Sequence, residues 1–330
     1  VAFVVPWLQI SGGIAVVLQY AHRLEQLGHS VTILPASDEH DCPWFPHRSF
    51  RIVPLSQTRG EMFDILLATF WTTVDQVCRL PAEKHFYFIQ SDESRFYPGD
   101  QPRQKAVLET YQADLEPIVI ARWLQAWLQE RFGRRAHYLP NGIDRTLFHP
   151  AEPLEPKGAK VRVLLEGAID LPFKGMKNAF RAVEDLDCEV WCVSSAGRPE
   201  RTWRCDRFFS KVPQPEMKHI YSSCDILLKM SEVEAFFLPP LEMMACGQGA
   251  CVLGEVTGIE EYVQHDINAL VVKKGDVEGA RCAVQRLITD VDLRQRLIVA
   301  GLETARRFDW DVLAVRLQQI LCSDTYRKGE

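Results

Sequence analysis

Short, uninterrupted apolar runs alternate with segments of helical periodicity, and the alternation occurs in two series along 330 residues. "VAFVVPWL" is such a run. It is followed by "SGG" and by "IAVVLQYAHRLEQLGHSVTIL", where Val17, Tyr20, Ala21 and Leu24 share one helical face, Gly28 ends the helix, and a β-branched run begins at Val31. A strand apolar on both faces belongs inside a parallel sheet, and parallel neighbours need a crossover helix, so the segment reads as a βαβ unit. "FDILLAT", "KHFYFIQ" and "PIVIA" supply further strands, and "RWLQAWLQERFG" a helix closed by Gly133. The passage "HYLPNGIDRTLFHPAEPLEPKGAK", with Asn141-Gly142, Pro150, Pro153 and Pro156, has the composition of an interdomain linker. The rhythm then restarts with strand "VRVLLEGA", helix "MKNAFRAVEDL", strands "EVWCVSS" and "RFFSKV", and helix "PEMKHIYSSC". Strand "DILLKM", helix "PLEMMACG", strand "ACVLG", helix "IEEYVQH", strand "ALVV" and long helices from Val277 complete it. The expected class is α/β, two doubly wound parallel sheets, with ligands at the carboxyl ends of strands and a shared ligand in a cleft between the domains.

Composition removes several alternatives. The formal charge of -6 is spread evenly over both halves, so no basic platform for nucleic acid is expected. Ten scattered cysteines without a C-x-x-C pair point to reduced, mostly buried thiols rather than disulfides or zinc. No apolar run approaches the roughly 18 residues of a membrane span, and the amino-terminal run lacks a charged leader, so the expected location is cytoplasmic, at most peripheral to the inner face of a membrane.

The chemistry concentrates in "EAFFLPPLEMMACG", Glu234 to Gly247, which places two carboxylates around a double proline. Proline suits a first helical turn, so a helix is expected to start near Pro240 with Glu242 in its first turn. The amides around Phe236 to Leu241 then lie at a positive helix end that attracts phosphate. In isolation Glu242 could simply complement that dipole, and Glu234 could be a solvated loop acid.

Context adds a resemblance. "CDILLKMSEVEAFFLPPLEMMACG", followed by "VTGIEEYVQHDINALVV", resembles the carboxy-terminal nucleotide-sugar site of GT-B glycosyltransferases, particularly the retaining family 4, in its strand, serine, Glu-x7-Glu and Met-Ala-Cys-Gly, with Gly258 and Glu261 following. The resemblance implies two Rossmann-like domains: an acceptor-side domain over 1–150, a nucleotide-sugar domain over 151–305, and a final helix over 306–330 crossing back to the first. It implies Glu234 beside the transferred sugar, the main chain of Ala235, Phe236, Phe237 and Leu238 holding sugar or phosphate, and Glu242 on the ribose hydroxyls. Ala235 and Phe237 stand where the family usually has glycine, so a narrower or more apolar pocket walled by Phe237 is expected, suited to a deoxy sugar.

Three further segments extend the resemblance. Gly12 and Gly13 in "SGGIAVVL" are similar to the family's glycine pair at a helix amino terminus near the diphosphate. "YLPNGIDRTLFHP" resembles its Asn-Gly-Ile-Asp turn, with Asn141 and Asp144 read as structural. In "LLEGAIDLPFKGMKNAF", Ala168 replaces the family's arginine while Lys174 is kept as the counter-charge to the leaving diphosphate, leaving Lys229 or an arginine of "RPERTWR" to supply a second cation. "FYFIQSDESRFYPGD" departs from the family's usual His-Asp and is similar to the subset of bacterial surface-polysaccharide rhamnosyltransferases. Gln90, Asp92 and Glu93 are its acceptor-facing candidates, Asp92 also as a catalytic group.

The resemblance implies transfer of a sugar from a nucleotide-diphosphate donor to a glycan, lipid-linked or small-molecule hydroxyl, with retention and without a cofactor or metal. The "DVD" at Asp290–Asp292 and "DWD" at Asp309–Asp311 read as helix starts rather than metal triplets. Trp123 and Trp127 beside Arg131, Arg134 and Arg135 allow a membrane-surface reading against plain core packing. Two rivals stand beside this reading: a nicotinamide oxidoreductase, whose G-x-G-x-x-G turn the sequence lacks, and a catalytically silent glycan- or nucleotide-binding scaffold, which would fit the replaced glycines and arginine.

Overall fold

The computed structural model describes residues 1–45, 50–58 and 60–323. These fall into two compact units, Val1–Asn141 with Trp310–Glu330, and Gly142–Asp309.

The first unit holds strands β1 (Ala2–Val5), β2 (Thr32–Pro35), β3 (Arg51–Ile52), β4 (Phe63–Ala68), β5 (Ala82–Ile89), β6 (Glu116–Val119) and β7 (His137–Tyr138). Helices α1 (Gly12–Gln26), α2 (Val74–Arg79), α3 (Gln101–Thr110) and α4 (Arg122–Phe132) lie between them. All pairings are parallel, in the order β3-β2-β1-β4-β5-β6-β7. Every residue of β1 and β2 is buried, which is why both read as continuous apolar runs. On α1 the expected face is buried, and Gly28 takes φ 90° where the chain leaves the helix. Gly133 caps α4 in the left-handed region.

The second unit holds β8 (Arg162–Glu166), α5 (Met176–Val183), β9 (Glu189–Ser194), β10 (Arg207–Ser210), α6 (Gln214–Ser223), β11 (Ile226–Lys229), α7 (Leu238–Cys246), β12 (Ala250–Gly254), β13 (Leu270–Val272), α8 (Val277–Thr289) and α9 (Val291–Ala305). Its sheet is parallel throughout, in the order β10-β9-β8-β11-β12-β13. The last helix, α10 (Trp310–Cys322), groups with the first unit. There the Tyr20 and Trp310 rings meet edge to face at 4.8 Å, Arg23 pairs with Asp311 at 3.0 Å, and Lys84 reaches the Ser323 carbonyl at 3.0 Å.

In each sheet the strand order reverses once, between β1 and β4 and between β8 and β11. Ligands of such sheets bind outside the carboxyl ends at that reversal. Two readings need correction. The segment "IEEYVQH" forms only a 3-10 turn, Ile259–Glu261, after Gly258. Helix α7 begins at Leu238, two residues earlier than expected, so Glu242 stands in its second turn. The two-residue edge strands and the polar α3, whose one buried residue is Val107, carry too little periodicity to be read. All ten cysteines are free, six of them buried. Among the described residues no helix is long and apolar enough to cross a membrane.

Candidate active site

At the carboxyl ends of β8 and β11 two loops are pressed together. Gly175, at φ 64°, lies so close to β11 that a Cβ there would stand 1.9 Å from the Met230 carbonyl oxygen. Only glycine permits that approach. The Glu232 amide donates to the Phe173 carbonyl at 2.7 Å, completing the seam. Lys174 is thereby held at the end of a 3-10 turn, Pro172–Lys174, with its Nζ 2.7 Å from Glu234 Oε1. Both side chains keep some exposure, 26% for Lys174 and 14% for Glu234, so the ion pair is half sheltered and half open to a ligand.

The main chain following Glu234 is fixed from the other side. Thr257 Oγ1 donates to the Glu234 carbonyl at 2.8 Å. A Cβ on Gly258 (φ 86°) would stand 2.2 Å from the Ala235 carbonyl oxygen. Phe236 packs on Tyr262 and Phe308, with centroids at 5.8 and 6.0 Å, and Tyr262 donates its hydroxyl to the Phe237 carbonyl. The peptide groups of 235–238 therefore lead into α7 in one set orientation. Pro239 and Pro240 have no N–H, so of the first three helical residues only Leu238 offers one.

Phe237 does not form a pocket wall. Its side chain is fully buried, with Lys229 Nζ 5.4 Å from the ring centroid, because the turn into α7 directs it beneath the strand ends. The deoxy-sugar expectation built on that wall loses its basis. Lys229 is itself only 3% exposed and is bound by Glu166 Oε2 at 2.9 Å, across the β8–β11 reversal. Glu166 escaped sequence reading, although a charge ending each of two apolar strands, "VLLE" and "ILLK", was a usable signal. Of the arginines in "RPERTWR", Arg204 bonds the carbonyls of Leu186 and Cys188 at the amino end of β9, Arg201 is exposed, and Arg198 lies 5.7 Å from the Phe208 ring centroid.

Glu242 accepts a hydrogen bond from the Tyr221 hydroxyl at 2.9 Å. Burial first, then the Glu166 charge, raises its carboxyl to about 7. Three carboxylates, two lysines and a tyrosine thus gather at one end of this sheet, paired with one another as Lys174–Glu234, Lys229–Glu166 and Tyr221–Glu242.

In the first unit, Gly12 and Gly13 open α1, where Ser11 Oγ accepts from the Ile14 amide at 3.3 Å. Gln90 joins them: its Nε2 donates to the Gly13 carbonyl at 3.2 Å, and a Cβ on Gly13 would crowd that amide. Asp92 and Glu93 do not face outward as expected. Asp92 caps the 3-10 turn Glu93–Phe96, its Oδ1 accepting from the Ser94 amide and hydroxyl at 3.1 and 2.5 Å. Glu93 is buried, and one oxygen, Oε2, accepts from the Trp71 amide at 2.8 Å and the Tyr87 hydroxyl at 3.3 Å. That tight turn after β5 is what swings both acids inward.

Burial raises the Glu93 carboxyl to about 8. Because its folded value lies above the ordinary 4.5, the stability it contributes is full below pH 4.5 and declines as pH rises toward 8. Glu93→Gln keeps an acceptor for both donors and cannot ionise. Its melting temperature should match the parent's near pH 4.5 and exceed it at pH 8, the difference in stability growing by at most ~1.4 kcal/mol per pH unit crossed. Equal pH profiles for the two proteins would refute the assignment.

The remaining candidates resolve structurally. Trp127 packs on Tyr111 and Phe132, Arg134 bonds the carbonyls of Tyr111 and Leu115, and Arg95 lies over Trp123. Asp290 caps α9 through the Leu293 amide, Asp309 pairs with Arg145, and Asp144 turns onto the Thr146 amide and hydroxyl. Asn141 is buried, with no partner for its Oδ1 among the described residues.

The chain is similar to known proteins in sequence and in fold. Residues 207–304 match the model for Glycosyl transferases group 1. The O-antigen biosynthesis protein RfbC of Myxococcus xanthus is 24% identical over 78% of this chain, which spans only 20% of that protein. The phosphatidyl-myo-inositol mannosyltransferase of Mycolicibacterium smegmatis is 23% identical, covering 94% of this chain and 90% of its own length. Among solved structures, Anabaena HepE in complex with UDP-glucose superposes with a TM-score of 0.78 at 14% identity, covering 97% of this chain and 98% of that one.

Proposed function

We propose that the chain, whose fold is GT-B, is a glycosyltransferase using a nucleotide-sugar donor, that Lys174, Glu234 and the start of α7 form its donor site, and that the sugar passes to a hydroxyl acceptor with retention. The observation that carries this reading is the half-exposed Lys174–Glu234 pair at the end of the parallel sheet, beside the peptide groups of 235–238. A sugar diphosphate brings an anion for Lys174 and hydroxyls for Glu234, so each partner exchanges the other for a group of the donor. Leu238 and the preceding amides meet phosphate or sugar oxygens, and Glu242 accepts from the ribose hydroxyls.

The bond between the anomeric carbon and the phosphate oxygen breaks as the acceptor oxygen bonds on the same face, and the acceptor proton passes to the departing phosphate. Lys174 and the helix end stabilise the charge that develops there. Asp92, committed to its cap, has no part in this scheme. The scheme draws on no bound metal or cofactor. The sugar is a hexose, the acceptor a glycan, lipid-linked or small molecule, met in the cytoplasm or at the inner membrane surface. Resolving the product by NMR tests the stereochemistry: the donor's anomeric configuration is expected, and an inverted product would discard it. Absence of product with tight donor binding would favour a silent binding scaffold.

The Glu242 carboxyl near 7 adds a pH dependence. Its carboxylate fraction grows as pH rises through 7, and only the carboxylate accepts from both ribose hydroxyls. Affinity for a sugar nucleotide, whose diphosphate diester does not titrate there, should tighten between about pH 6 and 8. Calorimetric titration checks this, with Glu242→Gln expected to flatten the dependence. A parent affinity independent of pH would contradict the ribose role.

A further inference from the structure

Beneath the donor site lie two charges in a place where parallel strands are ordinarily apolar throughout. Glu166 ends β8 and Lys229 ends β11, and the register of those strands, Leu228 beside Leu165, sets the two residues side by side one step further on. Their other neighbours across the sheet, Val193 of β9 and Leu253 of β12, are buried and apolar. Lys229 Nζ lies 2.9 Å from Glu166 Oε2, with side-chain exposures of 3% and 18%. The buried Phe237 ring stands over the ammonium, its centroid at 5.4 Å. Desolvation of two ions offsets most of their attraction, so such a pair is a weak source of stability. What the pair acts on explains its place better.

Glu242 is that neighbour. Among the described residues, the titratable or charged groups that reach it are Glu166 of β8, Lys229 of β11, Tyr221 of α6, Tyr262 after the 3-10 turn Ile259–Glu261, and Cys246 one turn along α7. Burial keeps the protons on both tyrosines and on the cysteine well past neutral pH. The charges left beside Glu242 are those of the pair. Glu166 opposes ionisation of Glu242 more strongly than Lys229 favours it.

We infer that Glu166, fixed in place by Lys229, is a positioning residue of the donor site that acts through Glu242 and loosens the grip on the nucleotide. A ribose ligand held partly protonated near neutral pH binds less tightly than a permanent carboxylate. The nucleotide that remains after each transfer must leave, and its departure often limits turnover. The same pair keeps Phe237 beneath the turn into α7, so the peptide groups of 235–238 and the ribose carboxylate rest on one buried support. The inference rests on the reading of Glu242 as the ribose ligand, and its test separates the two.

The whole chain is titrated calorimetrically with UDP-glucose, GDP-mannose and ADP-glucose between pH 6 and 8, where their diphosphates do not titrate, and the tightest of the three is carried forward. Glu166→Gln removes the opposing charge. It should move the midpoint of the pH dependence down by about one unit, which tightens binding about fivefold at pH 6 and changes it less than about twofold at pH 8. Glu166→Gln combined with Lys229→Met leaves no unpaired ion, and it should shift the midpoint the same way by less. Melting curves establish folding, and if the single variant does not fold the double variant decides. A support with only a structural role would weaken binding or leave it alone; it would not tighten it in acid. Binding at pH 6 no tighter than the parent's in both folded variants would overturn the inference and leave the ribose reading standing. Parent affinity that depends neither on pH nor on the ribose 2′-hydroxyl, tested with the 2′-deoxyribose counterpart, would overturn the ribose reading and the inference with it. Binding of none of the three donors would overturn the donor site itself.

Discussion

Lys174→Ala is expected to lower turnover by about 10²–10³, the usual cost of removing a fixed group that stabilises charge in the transition state. The loss should fall on kcat more than on donor affinity, because the charge on the departing diphosphate is greater in the transition state than in the bound donor. The substitution also leaves the half-buried Glu234 without its partner at 2.7 Å, which lowers stability. Lys174→Ala combined with Glu234→Gln removes that unpaired charge. If the account is right, the double variant regains melting temperature and not turnover. Near-normal turnover in Lys174→Ala would remove this lysine from the chemistry.

Gly175→Ala should be the most damaging single methyl group in this region. The new Cβ would sit 1.9 Å from a backbone oxygen at Met230, which cannot rotate away, and the residue would be held at φ 64°. The left-handed conformation alone costs about 1 kcal/mol, and opening the seam between the two loops raises the expected loss to about 2–4 kcal/mol. Lys174 is the adjacent residue, so turnover should fall with it. Gly12→Ala is the control for stability, since a Cβ there meets nothing within 4 Å. Thermal melting of the two variants decides the matter, and equal melting temperatures would contradict the close approach at Met230.

Much of the fold was legible because parallel strands buried on both faces must be written as continuous apolar runs. β1, β8 and β11 are of this kind, and their helices carry clear apolar faces or glycine stops. What escaped was either too short to carry a period, as in β3 and β7, or decided by tertiary contact. The prolines at 239 and 240 suggested a helix start, yet Leu238 ahead of them already takes helical geometry, which moves Glu242 one turn inward to meet Tyr221. The site's spacing of acids was visible, and so was the lysine opposite Glu234. The inward rotation of Asp92 and Glu93 depends on a single 3-10 turn, and the Lys229–Glu166 pair joins strands 63 residues apart. Neither leaves a periodic trace.

The most direct measurement is a crystal structure of the chain with a bound sugar nucleotide, chosen as the one that raises its melting temperature most. A ligand at about 100 times its dissociation constant adds about 2.7 kcal/mol, so the choice is readily made. The account predicts diphosphate oxygens about 3 Å from Lys174 Nζ, the sugar against Glu234 and the peptide groups of 235–238, and the ribose on Glu242. A nucleotide bound elsewhere, with Lys174 and Glu234 still joined only to each other, would contradict it.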